Sequence, residues 1–283
     1  MVNLVHWRLR DFDNIEFAAS ERMTHVFPLH FHYEYMIGVS TAGLQEFADG
    51  EGTYIVPPRS ILVTNPMQLH AHYPLNDIGW SHRSLYLSPD LMHYLQPAGG
   101  RFGRMVVQDE ELFAAVMRLH DAASRDAAKT GVAKPAQASL ADKAVAPLHA
   151  AELGTLVARL FAVAGFENGP RDSALAARIV EVREWVSDHC ADKLGLDGLA
   201  ARFSWDKYQL IRQFRKYTGV TPNAYLKIVR VERARRLLRQ QVPVVEAALE
   251  AGFYDQAHFH HAFLEYTGMR PATYRGSAGF GEK

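Results

Sequence analysis

Two His-x-His pairs, His30/His32 and His70/His72, and a basic run through Lys207, Arg212, Arg215 and Lys216 are the groups of this 283-residue chain whose type and spacing suit chemistry. On a strand, the period of two puts both imidazoles of a pair on one face. Glu34 follows the first pair. Imidazoles joined by a carboxylate can hold a divalent metal, and they can also line or pack a pocket for an organic ligand. The pocket is the expectation here: His30, His32, Glu34 and His70 in a ligand site, with no metal and no cofactor. Arg83, with Trp80 and Tyr86 beside it in sequence, adds a guanidinium near aromatics, which can fix a small carboxylate or other anion. Trp80 and Arg83 are therefore expected in the same pocket, although a structural Arg at its rim fits equally. The basic run suits a different partner: an Arg fork can grip a guanine edge with two donors, and a cationic face neutralises phosphates.

The basic run is positioned by a unit written twice, 49 residues apart. FSWDKYQLIRQFRKYTGVTPNAY (203–225) recurs as GFYDQAHFHHAFLEYTGMRPATY (252–274), with Asp206/Asp255, Phe214/Phe263, Tyr217/Tyr266, Gly219/Gly268 and Pro222/Pro271 among the identities. A self-match at fixed spacing is one supersecondary unit used twice. In each copy an Asp N-cap and a Gly suited to the left-handed C-terminal position bracket a helix of about three turns. Leu210, Phe214 and Tyr217 fall at i, i+4 and i+7, a stripe expected to pack inward, while Tyr208, Arg212 and Arg215 point the other way. A shorter apolar helix precedes each capped helix, 196–203 in the first copy and 244–249 in the second. The result is a helix–turn–helix whose second helix presents its outer face, with a solvated scaffold helix as the bland reading.

Charge bears on that choice. The chain is formally neutral, but residues 171–283 carry 18 Lys+Arg against 13 Asp+Glu, and residues 201–240 carry 11 against two. A patch of that sign can contact several phosphates and favours duplex DNA as partner. The two copies are unequal: Tyr208, Arg212, Arg215 and Lys216 become Ala257, His261, Leu264 and Glu265.

The strings LDGLAARFSWDKYQLIRQFRKYTGVTPNAYL and EAALEAGFYDQAHFHHAFLEYTGMRPATYR, joined by KIVRVERARRLLRQ, resemble the DNA-binding domain of the AraC/XylS family of bacterial transcription regulators, over residues 174–275. The resemblance implies two helix-turn-helix units on a long connecting helix, entering successive major grooves, with Tyr208, Ile211 and Arg212 reading bases. Lys207, Gln209, Arg215 and Lys216 of the first unit, and Gln256, His258 and His261 of the second, complete the expected DNA contacts. The second unit departs from the family at His261 and Glu265, where Arg and often Lys are usual.

Residues 1–100 differ in kind. Short β-rich runs at 23–29, 32–39, 44–47, 53–56, 61–64, 70–73 and 80–87 are separated by turn-forming pairs such as Ala42-Gly43 and Pro57-Pro58. They suggest a small antiparallel sandwich or barrel, and FPLHFHYEYMIGV, NPMQLH and GWSHRSLYLSPDLM resemble the cupin-like sensor of the same family. Helices are expected near 109–123 and 148–164, with an Ala-rich mobile loop at 124–147 between them. Their apolar stripes (Leu112, Val116, Leu119; Leu153, Leu156, Leu160) could be covered by a second subunit.

The expected architecture is an α+β chain in two domains. A cupin-like β-barrel with following helices (1–165) senses a ligand and dimerises. A linker (166–173), an all-α domain with two helix-turn-helix units joined by a long helix (174–275) and a flexible tail (276–283) complete it. No apolar run approaches the ~20 residues needed to cross a bilayer, and no secretory signal is expected. Cys190 stands alone, which excludes an internal disulfide and fits a reducing cytoplasm. No phosphate-binding Gly loop or nucleophile motif occurs. The function expected is a non-enzymatic transcription regulator whose partners are double-stranded DNA, a small-molecule effector, a second copy and, for an activator, RNA polymerase. A cupin-type metalloenzyme with a helical scaffold is the alternative.

Overall fold

A computed structural model describes residues 3–8, 15–50, 52–130, 150–166, 174–193 and 195–278. Ten strands open the chain: β1 (Asn3–Arg8), β2 (Glu16–Met23), β3 (Phe27–His30), β4 (Tyr35–Ala42), β5 (Gln45–Asp49), β6 (Thr53–Val56), β7 (Ile61–Thr64), β8 (His70–Pro74), β9 (Trp80–Leu87) and β10 (Val106–Val107). They form two antiparallel sheets, ordered β1-β2-β9-β4-β7-β10 and β3-β8-β5-β6. The strands β1 and β2, paired from Asn3↔Glu21 to Arg8↔Glu16, were not expected from sequence. The expected strand 32–39 instead begins at Tyr35, because Phe31–Glu34 carry the chain from one sheet to the other.

Parity along β9 decides what each sheet face does. Trp80, His82, Ser84 and Tyr86 face an internal cavity, whereas Leu85 and Leu87 pack in the core that the following helices share. Those helices are α1 (Pro89–Leu95), α2 (Glu110–Thr130) and α3 (Ala150–Ala164). α2 runs through residues 124–130, which the Ala-rich reading placed in a loop. Ala and Lys are strong helix formers, so the helix simply propagates. Residues 131–149, the rest of that expected loop, lie outside the described residues. The apolar stripes of α2 and α3 are not left for a partner. Leu112, Val116, Leu119, Leu153, Leu156 and Leu160 are all buried in the core that backs the larger sheet.

The helical half comprises α4 (Ala174–Asp188), α5 (Leu196–Arg202), α6 (Lys207–Thr218), α7 (Pro222–Arg239), α8 (Val244–Glu250), α9 (Gln256–Thr267) and α10 (Pro271–Ala278). The repeat is reproduced atom for atom at its caps. Asp206 accepts from Gln209 N at 2.8 Å and Asp255 from His258 N at 2.7 Å. Gly219 (φ 80) and Gly268 (φ 69) close the two helices in the left-handed region. Each Asp cap stabilises its helix by about 1 kcal/mol. α10 continues to Ala278, three residues into the expected tail, where Ser277 Oγ donates to Tyr274 O. The segment expected as linker lies, apart from Phe166, outside the described residues.

The halves share one core. Leu4, Ala18, Phe27, Phe31 and Trp80 from the strands pack in the same buried cluster as Phe214, Tyr225, Phe263, Tyr266 and Tyr274 from the helices. His25 Nε2 donates to Glu265 O at 3.0 Å, so a side chain of the β-half caps the C-terminal turn of α9.

Candidate effector cavity and nucleic-acid interface

The outer face of α6 is open. Tyr208 is 79% exposed, and Arg212, Arg215 and Lys216 are exposed beside it. Gln209 and Ile211 are half-buried, and Lys207 is tied to Asp197 at 3.2 Å. Tyr217 corrects the expected inward stripe: it is 41% exposed, with Lys216 over its ring. Its repeat partner Tyr266 is buried because the β-half covers that end of α9 and nothing covers the equivalent end of α6. On α9 the exposed face is Gln256, Ala257, His258, His261 and Leu264, with no cation among them. Glu265 is held by Lys227 at 3.7 Å.

The basic count of residues 201–240 overstates the available charge. Arg230 donates to Cys190 O (2.7 Å) and Asp192 O, closing the end of α4. Arg235 and Arg239 are drawn inward to the β-half. Arg235 meets both Glu232 oxygens (3.0 and 3.2 Å) and Glu16 at 3.3 Å. Arg239 reaches Glu34 at 2.5 Å and Glu16 at 3.5 Å. Tyr274 OH donates to Glu16 at 3.0 Å, and His6 Nδ1 lies 2.6 Å from the same carboxylate. Burial alone would push Glu16 up, but Arg235, the His6 hydrogen bond and Arg239 outweigh it and hold the carboxyl well below the usual range. For Glu34, burial is likewise overcome by Arg239 and Arg235, bringing it down to about 2. For Glu232 burial wins over Arg235 and lifts it to about 6.

That ion cluster forms one end of a cavity between the strands and the helical half. His6, His30, His70, His72 and His82 of the strands and His32 of the bend after β3 line it, together with Trp80 and Tyr86. Glu232 and Arg235 of α7, Tyr266 and Thr267 of α9, and Tyr274 of α10 close the opposite wall. Of the expected ligand residues, His30, His32, His70 and Trp80 are brought together here. Two are not. Arg83 stands an odd number of residues from Trp80 and so leaves the sheet on the other face. Glu34 lies in the bend between β3 and β4, outside strand parity, and is spent on Arg239. His72, read with His70 as one pair, lines the wall too, whereas sequence reading missed His6, His82 and the whole α7–α10 wall. Alternation with Trp80 could have revealed His82; nothing local could have revealed Arg235 or Tyr274.

Five of these imidazoles are held neutral. Desolvation is the main cause in each case, lowering His30 to about 3 and His32 and His82 to about 4, with His70 and His72 also well below 6.5. Their tautomers follow from their partners. His30 Nδ1 donates to Pro28 O, His32 Nδ1 to Glu34 O and His70 Nδ1 to Gln68 O, at 2.7–2.8 Å. A carbonyl oxygen can only accept, so Nδ1 carries the hydrogen and Nε2 is a lone pair. Among the described residues no group of three His, Cys, Asp or Glu side chains is placed to hold a metal ion.

Residues 14–142 match the AraC-like ligand binding domain, and residues 199–277 match a helix-turn-helix domain. The chain belongs to the AraC/XylS family of transcription regulators. It is similar to the uncharacterised HTH-type transcriptional regulator YbfI of Bacillus subtilis, 29% identical over 238 residues that span 82% of this chain and 81% of YbfI. It is also similar to the transcriptional activator RhaS of Escherichia coli, 37% identical over 107 residues, but that match spans only 37% of this chain and 38% of RhaS. The whole chain has the fold of ToxT from Vibrio cholerae, with a TM-score of 0.59 at 11% identity over 98% of this chain and 97% of that one. A ToxT structure with bound unsaturated fatty acid aligns with a TM-score of 0.57 at 13% identity, over 97% and 94% of the two chains. This family member is thus a transcription regulator, with its ligand-binding domain N-terminal and its DNA-binding domain C-terminal. Its relatives are regulators rather than enzymes.

Proposed function

We propose that the first helix-turn-helix unit anchors the regulator on DNA and that an effector in the interdomain cavity sets how the second unit engages. The single observation behind this reading is the cavity wall contributed by α7, α9 and α10. A ligand there touches the connecting helix and the C-terminal end of the second recognition helix directly, and touches neither α5 nor α6. In the first unit Tyr208, Ile211 and Arg212 read bases, and Arg215 and Lys216 sit against phosphates, with Lys207 and Gln209 flanking them. In the second, Gln256, His258 and His261 face the next major groove with little electrostatic attraction. The units of function are taken as 1–165 for sensing and 174–275 for DNA.

Such a regulator would act in the bacterial cytoplasm, and no helix among the described residues is long and apolar enough to cross a membrane. A homodimer, and RNA polymerase if the protein activates, belong to this reading. With the apolar stripes of α2 and α3 buried in the chain itself, a dimer contact there would use their outer, charged faces. Footprinting of the full chain on an operator selected from random duplex tests the reading. Two protected major grooves on one side of the duplex are expected, with affinity falling steeply as salt rises. A single protected groove, or affinity indifferent to salt, would refute it.

A further inference from the structure

The polar character of the cavity wall says what kind of molecule it accepts. His30 and His70 spend Nδ1–H on backbone carbonyls, and His72 Nδ1 lies 2.9 Å from Gln45 Oε1, which accepts. The Nε2 lone pairs of His70 and His72 make no hydrogen bond among the described residues, whereas His30 also meets the backbone of His70. His32 Nε2 is different, because Thr64 Oγ1 donates to it at 3.2 Å. Ser84 Oγ lines the same cavity, is fully buried against the Tyr86 hydroxyl, and can accept as well as donate. The wall therefore carries surplus acceptors.

Its guanidinium and the Tyr274 hydroxyl, by contrast, are committed. Arg235 is divided between Glu232 and Glu16, and Tyr274 OH is given to Glu16. Arg235 is the one Arg or Lys among the described lining side chains. Around it Glu16, Glu34 and Glu232 already match Arg235, Arg239 and the neighbouring Arg8 one for one. A carboxylate entering this space would find no uncommitted guanidinium to pair with and the lone pairs of His70 and His72 facing it. Charge that is buried without a partner is disfavoured, whereas a buried donor that meets a waiting acceptor is not.

We propose that the cavity takes an uncharged molecule that carries hydrogen-bond donors, hydroxyl or amide N–H, on an apolar frame, and that it rejects the carboxylate of the same frame. The frame would lie against Phe27, Met36, Val39, Leu62 and Trp80, and the donors would point at His70 and His72. This sets the chain apart from its ToxT neighbour, one structure of which holds a fatty acid. The proposal rests on the cavity being the effector site.

The test uses the full chain and matched probes of one frame each: benzyl alcohol and benzamide against benzoate, and cyclohexanol against cyclohexanecarboxylate. Thermal unfolding is followed at equal millimolar concentrations near pH 7.5. The neutral members are expected to raise the melting temperature and the carboxylates to leave it unchanged. The shift should vanish in Ala18→Met, which fills the cavity from β2; if that variant does not fold, His70→Phe, which removes one acceptor, replaces it. Carboxylates that stabilise as well as the neutral members, or neutral members that do nothing, overturn the ligand class. A carboxylate shift that is lost in Ala18→Met would overturn the class and leave the cavity as the site. A neutral shift that survives Ala18→Met would place the effector elsewhere. Long-range proton–nitrogen spectra of the imidazoles check the premise without any ligand: Nε2–H tautomers at His30 and His70 would also overturn the proposal.

Discussion

Glu16→Gln should loosen the helical half from the sensor at a cost that the ion cluster fixes. The wild-type carboxylate is 1% exposed and receives His6, Tyr274, Arg235 and Arg239 within 3.5 Å. Making it neutral keeps its shape but leaves two buried guanidiniums short of one negative charge. Breaking a buried pair from one side costs about 3–5 kcal/mol. Glu232 still faces Arg235 and Glu34 still faces Arg239, so the lower end, about 3 kcal/mol, is expected. Chemical denaturation of the full chain measures it as a fall in midpoint at unchanged slope. Arg235→Met in the Glu16→Gln background supplies the control. It removes the uncompensated charge, so the double variant should be more stable than the sum of the two single changes requires. A single-variant loss below about 1 kcal/mol, or strict additivity, would mean that the cluster is solvated and does not clamp the halves.

Acid should unfold the protein early. His30, His32, His70, His72 and His82 all have folded values below their unfolded 6.5, so the stability they represent is present above pH 6.5 and is lost as pH falls toward 4. Glu16 and Glu34 act in the same direction below about pH 4.5. Denaturation midpoints that stay constant from pH 7 to 5 would contradict this. Arg212→Ala should weaken operator binding by about 1–3 kcal/mol through loss of a two-donor contact, and His261→Ala by less. The reverse order in binding titrations would contradict the inequality of the two units. Gly252→Ala should cost at least about 2 kcal/mol in chemical denaturation, because its φ is 88° and a Cβ would stand 2.7 Å from Cys190 O. Gly219→Ala, with φ 80° and open space around it, should cost only about 1–2 kcal/mol, and equal losses would refute the role assigned to the close approach.

The repeat, its caps and its unequal outer faces were legible in the chain because every determinant is local. Asp206 and Gln209 are three residues apart, and Gly219 and Pro222 act on their own backbone. The His70/His72 pair was legible for the same reason, since strand parity fixes which side chains share a face, whereas His32 reaches the cavity from the bend past the end of β3. That parity also argued against Arg83 beside Trp80, and it failed at Glu34 only because the chain leaves the strand there. What the sequence could not supply was the destination of its buried charges. Whether Arg235 and Arg239 meet DNA or Glu16 and Glu34 depends on packing α7 against strands some 200 positions earlier, and no periodicity encodes that. The same packing covers Tyr266 and leaves Tyr217 exposed, and it turns a His-lined sheet face into a cavity with a wall from the DNA-binding half. Local hydrogen bonds and side-chain period set the elements; desolvation across the shared core decided which of their polar groups pair with one another.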